Sequence, residues 1–426
     1  IQLGWVNFPS SFSKHTVMKE DTVQLKQFLD KHFIKNIPSF KPAALSKTSV
    51  SFLHHLFALL VKGDEEFHKS SIQSDTKNTF TRSELFHYIP SSIQPSIESM
   101  DKSIQTISFT IRERSFKITF CSPKKHPIKP SVLFLHVRRI YIWFYLAGYY
   151  ANKKCSQSIH VHLYLTSHKK ILPKQHNAPI DEEHANTAFT TSCQKETEIN
   201  IYREEECAKV LIHETFHCMG LDFSEFNASE TNKEILRIFP VVSDVRLFET
   251  YCETWAELFN IMFLSYFSVR MTENLETNIQ KMLKKTQVML HYEQMFSLFQ
   301  CAKVLQHFDM TYKHMHEKTE GSQTIRKNKY KENTHVLSYY VIKSILMFQM
   351  NRFIEWCVDN NHRSIDFNKT KSAYNKTVAS YCSLIREHYI DEDFVQSIQW
   401  IENWYQRHNE KRSMEMRTLR MSLFEG

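Results

Sequence analysis

Six glycines in 426 residues leave this chain few places to turn sharply, and its 11 prolines add only a few more interruptions. Glycine supplies the left-handed backbone that tight hairpins and bulges need. Long helices are therefore expected and a sandwich of many short strands is not. With 42% hydrophobic residues, 32 Phe and 18 Tyr, the chain can build a sizeable core and is too apolar for a solvated tail. One large domain or two closely packed ones fit the length.

Periodicity divides the chain into three regions. Residues 1–100 read as a helical N-terminal region with polar loops around 63–80 and a Pro/Ser-rich stretch at 89–96. Residues 101–263 carry most of the strand signals. ISFTIRERSFKITF (107–120) alternates on both sides of a short polar turn, a hairpin signature. A helix over about 131–151 follows, then the alternating strand IHVHLYLT (159–166), the short segment NTAFTTS (186–192) and the strand TEINIYR (197–203). Residues 264–426 read as a helical C-terminal region, helical almost to the end and completing a cleft. The expected class is α+β, a small mixed sheet backed by one helix with a largely helical remainder.

Several function classes are disfavoured. The formal charge of +8 is a mild imbalance for 54 basic and 46 acidic residues. Basic clusters such as Lys124-Lys125-His126 lack interleaved aromatics, so no specific nucleic-acid partner is expected. The longest apolar run (132–150) contains His136, Arg138 and Arg139, which argues for a buried helix and against a membrane span. Nine cysteines stand singly with no CxxC pair, a pattern that suits reduced thiols in an intracellular setting. Oligomeric state is not legible.

Chemistry concentrates in EEECAKVLIHETFHCMGLDF (204–223). The acidic run Glu204–Glu206 suits a helix start and Gly220 a helix end. On the helix between them, His213 and His217 lie one turn apart on one face, so both imidazoles can reach a single ion. Glu214 is displaced by about 100° and is placed to act as general base on a water. The extended pattern HExxHxxGxxH fails, because position 223 is Phe and Asp222 is out of register. A third ligand is instead sought on LFETYCETWAELFNIMF (247–263), where Glu249, Glu253 and Glu257 recur every fourth residue. Glu253 is expected as the ligand, with Glu249 the runner-up, and Glu257 as acceptor for a ligating histidine's free N–H.

HETFH (213–217) with CETWAE (252–257) resembles the gluzincin zinc metallopeptidases, in which HExxH is completed by a downstream E-x-x-A/S-E/D. Asn186, Ala188 and Phe189 resemble that family's N-A-F-type edge strand, which pairs with an extended peptide substrate. The string over 186–224 is similar to metallopeptidases encoded by large nucleocytoplasmic DNA viruses. The resemblance covers about 158–263; no G-x-M-E-N exopeptidase motif accompanies it. It implies a zincin-like catalytic core over 101–263, a Zn2+ cofactor, a peptide or protein substrate, and an intracellular or virion location.

Such an enzyme needs a donor for the developing oxyanion. ENTHVLSYYVIKSILMF (332–348) offers Tyr339 and His335 on one helical face, with Asn333 or Thr334 as helix cap. His291, His307 and His314 are further options. The expected function is a zinc-dependent endopeptidase. The alternative is a virion or assembly protein that keeps the peptidase fold without turnover.

Overall fold

The computed structural model describes residues 4–5, 19–77, 80–227, 229–408 and 413–425. It is a mixed α+β protein built around one seven-stranded sheet of order β1-β2-β3-β4-β5-β7-β6. The strands are β1 (Gly4–Trp5), β2 (Gln73–Lys77), β3 (Lys102–Ile111), β4 (Arg114–Pro123), β5 (Ser158–Tyr164), β6 (Ala188–Thr190) and β7 (Glu196–Ile201).

β3 and β4 form the expected hairpin, with Arg112 in the turn at φ 53°. Helix Pro130–Tyr150 then carries the chain back so that β5 lies parallel to β4, and β7 lies parallel to β5. β6 returns antiparallel along β7 and ends the sheet. The two-residue period of the strands sorts their side chains. Ile159, Val161 and Leu163 of β5 and Ile199 and Ile201 of β7 face the main helical core. Tyr164 and the nearby Tyr202 face a second, smaller cluster with Phe86, Ile89 and Ile97.

Helix Pro130–Tyr150 is buried along most of its length, and Arg138 pairs with Asp64 at 2.5 Å. Among the described residues no helix is long and apolar enough to cross a membrane. The main core runs without a break from Leu25 to Phe424, so all three regions read from the sequence contribute to it.

Three expectations need correction. The loop expected from 63 is helix as far as Lys69, where Leu59, Leu60 and Phe67 keep one face buried, and β2 follows. The C-terminus does not stay helical: residues 418–425 form a buried, bent, non-helical strap held by hydrogen bonds between its backbone and side chains. Tyr340 donates to the Leu419 carbonyl (2.6 Å), Lys343 to that of Met421 (2.9 Å), and Glu293 accepts from the Leu423 and Phe424 amides. The cysteines are not all reduced, since Cys155 and Cys193 form a disulfide across 38 residues, while the remaining seven are free and buried. The acids Glu204–Glu206 stand at the start of the motif helix as expected, with Glu204 exposed and with Glu205 and the N-cap Glu206 buried. The helix begins at Cys207, and Glu206 turns inward at φ 57° to accept the Met421 and Ser422 amides.

Candidate metal centre

Helix Cys207–Cys218, the motif helix, packs against helix Leu247–Ser268, the glutamate helix. Each bears a stripe of polar residues at four-residue spacing on an otherwise apolar surface. On the motif helix the stripe is Lys209, His213, His217; on the other it is Glu249, Glu253, Glu257. The stripes meet head to tail. His217 Nε2 lies 3.3 Å from Glu249, His213 Nε2 3.0 Å from Glu249, His213 Nδ1 3.0 Å from Glu253, and Lys209 Nζ 2.5 Å from Glu253.

This ladder corrects the expected ligand. His213 and His217 converge on Glu249, whose Oε2 faces both Nε2 atoms, and those two nitrogens are 3.1 Å apart. Glu253 sits one turn deeper, on the opposite edge of the His213 ring, where Lys209 claims its second oxygen. Burial works against ionising Glu253, but the Lys209 ammonium and the His213 bond outweigh it and hold its carboxyl below the usual range. Glu257 is a further turn away, about 6 Å along the axis. It pairs with buried Lys343 at 2.5 Å and makes no contact with a histidine, so the acceptor role assigned to it passes to Glu253.

The second imidazole has its own acceptor. His217 Nδ1 lies 2.5 Å from Asp222 Oδ2, and Asp222 Oδ1 is held by the Ser224 amide and hydroxyl. The turn that brings Asp222 back depends on Gly220 at φ 62°, whose amide bonds the His217 carbonyl. A Cβ at Gly220 would lie 3.0 Å from Cys155 Sγ, so the turn is closed to larger residues on two counts. Asp222, out of register as a ligand, was legible as a hydrogen-bond acceptor through its placement just past that glycine.

These contacts decide what the cluster can hold. With Nδ1 of each ring donating to a carboxylate, both Nε2 atoms present lone pairs to each other and to Glu249. Three lone-pair donors at 3.0–3.3 Å repel unless a cation or extra protons lie among them. Two imidazole nitrogens and one carboxylate suit a divalent transition ion such as Zn2+. Without an ion, burial opposes charging the rings, but the surrounding carboxylates outweigh it and raise both imidazoles above their ordinary value.

The cleft beside this cluster is lined by Glu214, Tyr339, Asn186, Thr187, Ala188 and Met421, with Lys209, His213 and Glu253 among its other walls. Burial raises the Glu214 carboxyl above its ordinary value, against the pull of the two imidazoles. Tyr339 donates its hydroxyl to Glu249 at 3.1 Å, and burial together with Glu249 keeps that hydroxyl protonated. It sits on a π-helical turn, Leu337–Ile342, a geometry that often marks functional positions. Neither Asn333 nor Thr334 caps that turn; Glu332 does, accepting the Leu337 amide. Thr334 instead donates to the Asn186 side chain, tying the Tyr339 segment to the edge strand.

His335 packs edge-on against Tyr339, with ring centroids 6.0 Å apart, and burial lowers its pKa. Ala188 and Phe189 lie on β6 at the sheet edge, and Asn186 just before it, where Arg203 holds the Asn186 carbonyl. His291, His307 and His314 lie elsewhere: against Phe40, on the Ala178 carbonyl, and as part of the Thr311 cap. Comparison of the chain with protein-family models, curated proteins and solved structures finds no match.

Proposed function

We propose that the chain is a zinc-dependent peptidase, a gluzincin-type endopeptidase with a zincin-like core, in which His213, His217 and Glu249 hold the metal. The observation that carries this reading is the meeting of three lone-pair donors at 3.0–3.3 Å, with both far ring nitrogens already committed to Glu253 and Asp222. Such occupied outer nitrogens fix the tautomer and orientation that a ligating histidine needs. A bound Zn2+ would supply Lewis acidity, polarising a carbonyl and bringing the pKa of water down to about 7.

The chain's own residues supply the rest. Glu214, next to a ligand and facing the cleft, takes the proton from the attacking water and passes it to the leaving amine. Its raised pKa suits both halves of that transfer. Tyr339 turns its hydroxyl from Glu249 to the oxygen that gains charge, with His335 behind it as a positioning residue. The edge of β6 pairs with an extended peptide through backbone hydrogen bonds, and Asn186, Ala188 and Phe189 define that wall.

The test compares wild type with Glu214→Gln on a peptide library at equal zinc content. A loss of at least about 100-fold with metal retained is expected. Equal activity in both, or none in either, overturns the peptidase reading and leaves an assembly role for the fold.

A further inference from the structure

We propose a second metal-binding site on the opposite face of the sheet, formed by His160, His162 and Glu198, for a divalent transition ion of the Zn2+ class. His160 and His162 stand two apart on β5 and so point the same way. In the parallel pairing of β5 with β7, His160 is opposite Glu198 and His162 opposite Asn200. The four side chains form a two-by-two patch on two adjacent strands, turned away from the motif helix.

One nitrogen or oxygen atom from each of His160, His162 and Glu198 lies within 4.8 Å of the other two. The imidazole ring centroids are 3.8 Å apart, and His160 Nε2 lies 2.9 Å from the Thr119 hydroxyl. The polar accounting is incomplete here. His162 is 4% exposed, yet its Nε2 makes no hydrogen bond; it lies 3.4 Å from a Glu198 oxygen in poor alignment. Asn200 is fully buried, and neither its Oδ1 nor its Nδ2 has a partner.

Buried polar atoms without partners are rare in native proteins and point to a ligand. A cation among the three side chains gives His162 Nε2 its missing partner, and a water on that cation reaches the Asn200 amide. Glu198 is 22% exposed, which leaves a path for the ion to enter and room for solvent on it. Two imidazoles with one carboxylate favour zinc, cobalt or nickel over magnesium or calcium. The ion would cross-link β5 to β7, the two parallel strands that precede the motif helix. A plain His162–Glu198 ion pair is the competing account, and it leaves Asn200 unexplained.

The experiment counts Zn2+ bound to the metal-stripped full chain by plasma mass spectrometry. Wild type is expected to hold two equivalents, the double variant His213→Ala/His217→Ala one, and His162→Gln and Glu198→Gln one each. Cobalt added to the His213→Ala/His217→Ala chain should give a visible absorption band that adding His162→Gln abolishes. Should His162→Gln fold poorly, a Zn2+-dependent rise in the melting temperature of His213→Ala/His217→Ala, absent with Mg2+, provides the same reading. If His162→Gln and Glu198→Gln bind as much Zn2+ as wild type, or the His213→Ala/His217→Ala chain binds none, the second site is overturned. A chain that loses its metal only through His162→Gln would keep this site and discard the first.

Discussion

Glu253 bonds His213 through Nδ1, while Glu249, one helical turn away, meets the same ring through Nε2, each at 3.0 Å. The imidazole is thus clasped between two carboxylates of one helix, and only one of them shares its oxygen with His217. Metal binding should separate them. Glu249→Ala is expected to lose the Zn2+ equivalent held with His213 and His217 and to keep the one at His160, His162 and Glu198. Glu253→Gln should still bind Zn2+, with affinity reduced about 10–100-fold through the loss of ring orientation. Equilibrium dialysis against a chelator buffer measures both.

Tyr339→Phe removes only a hydroxyl whose partner is Glu249. Zinc content and melting temperature should stay near wild type. Turnover of a cleaved peptide should fall about 100–1,000-fold with little change in KM, the signature of a donor used in the transition state. An equal fall in His335→Ala would place the two residues in one unit, because their rings pack edge to face.

The strap depends on Glu206. Its carboxylate lies fully buried, 2.7 Å from Lys170 and within reach of Lys209, and accepts the Met421 and Ser422 amides. Burial alone would raise its pKa, but the two lysines and Arg420 hold it below the ordinary range. Glu206→Gln leaves those cations uncompensated and should cost about 3–5 kcal/mol in denaturant unfolding. Hydrogen exchange should become faster across 418–425 before it does so in β5 or β7.

The Cys155–Cys193 disulfide ties the connection between helix Pro130–Tyr150 and β5 to the β6–β7 connection, beside Gly220. Cys193 also donates its amide to the His217 carbonyl. Opening a 38-residue link removes a constraint on the unfolded chain worth about 2–4 kcal/mol. Reduction, or Cys155→Ser with Cys193→Ser, should lower the melting temperature by several degrees, read by calorimetry with and without reductant.

Stability should carry a signature of Glu402. Burial pushes its carboxyl up to about 7, although it accepts the Tyr312 amide at 2.5 Å. An acid whose folded pKa exceeds its unfolded one binds more protons when folded, so its contribution is full below about pH 4 and is lost as pH rises to 7. Glu402→Gln keeps an acceptor without the charge. It should match wild type near pH 4 and exceed it by about 3 kcal/mol at pH 8, as measured by urea unfolding across that range.

β3, β4, β5 and β7 were legible because each carries a two-residue period, and the motif helix because His213 and His217 repeat at its own turn, whereas β1 and β2 lie where helix and polar loop were expected. The edge position of β6 was implied by the resemblance of Asn186, Ala188 and Phe189 to an edge-strand pattern. Other features were hidden for identifiable reasons. Helix Lys47–Lys69 runs through GDEE because Asp64 is neutralised by Arg138, some 70 residues later in sequence. The strap is non-helical because its amides are taken by Glu206 and Glu293, and no local pattern announces that.

By itself the sequence determined which face of which helix carries the chemistry: four-residue spacing forces His213 with His217 and Glu249 with Glu253 onto single faces, whatever the rest of the chain does. It could not determine the register between those faces. That was decided by tertiary packing, where Lys209 takes Glu253 and Lys343 takes Glu257, leaving Glu249 to meet both imidazoles. A helix repeats its acids every turn, so three equivalent carboxylates differ only in what stands opposite them, and that is a property of the folded pair.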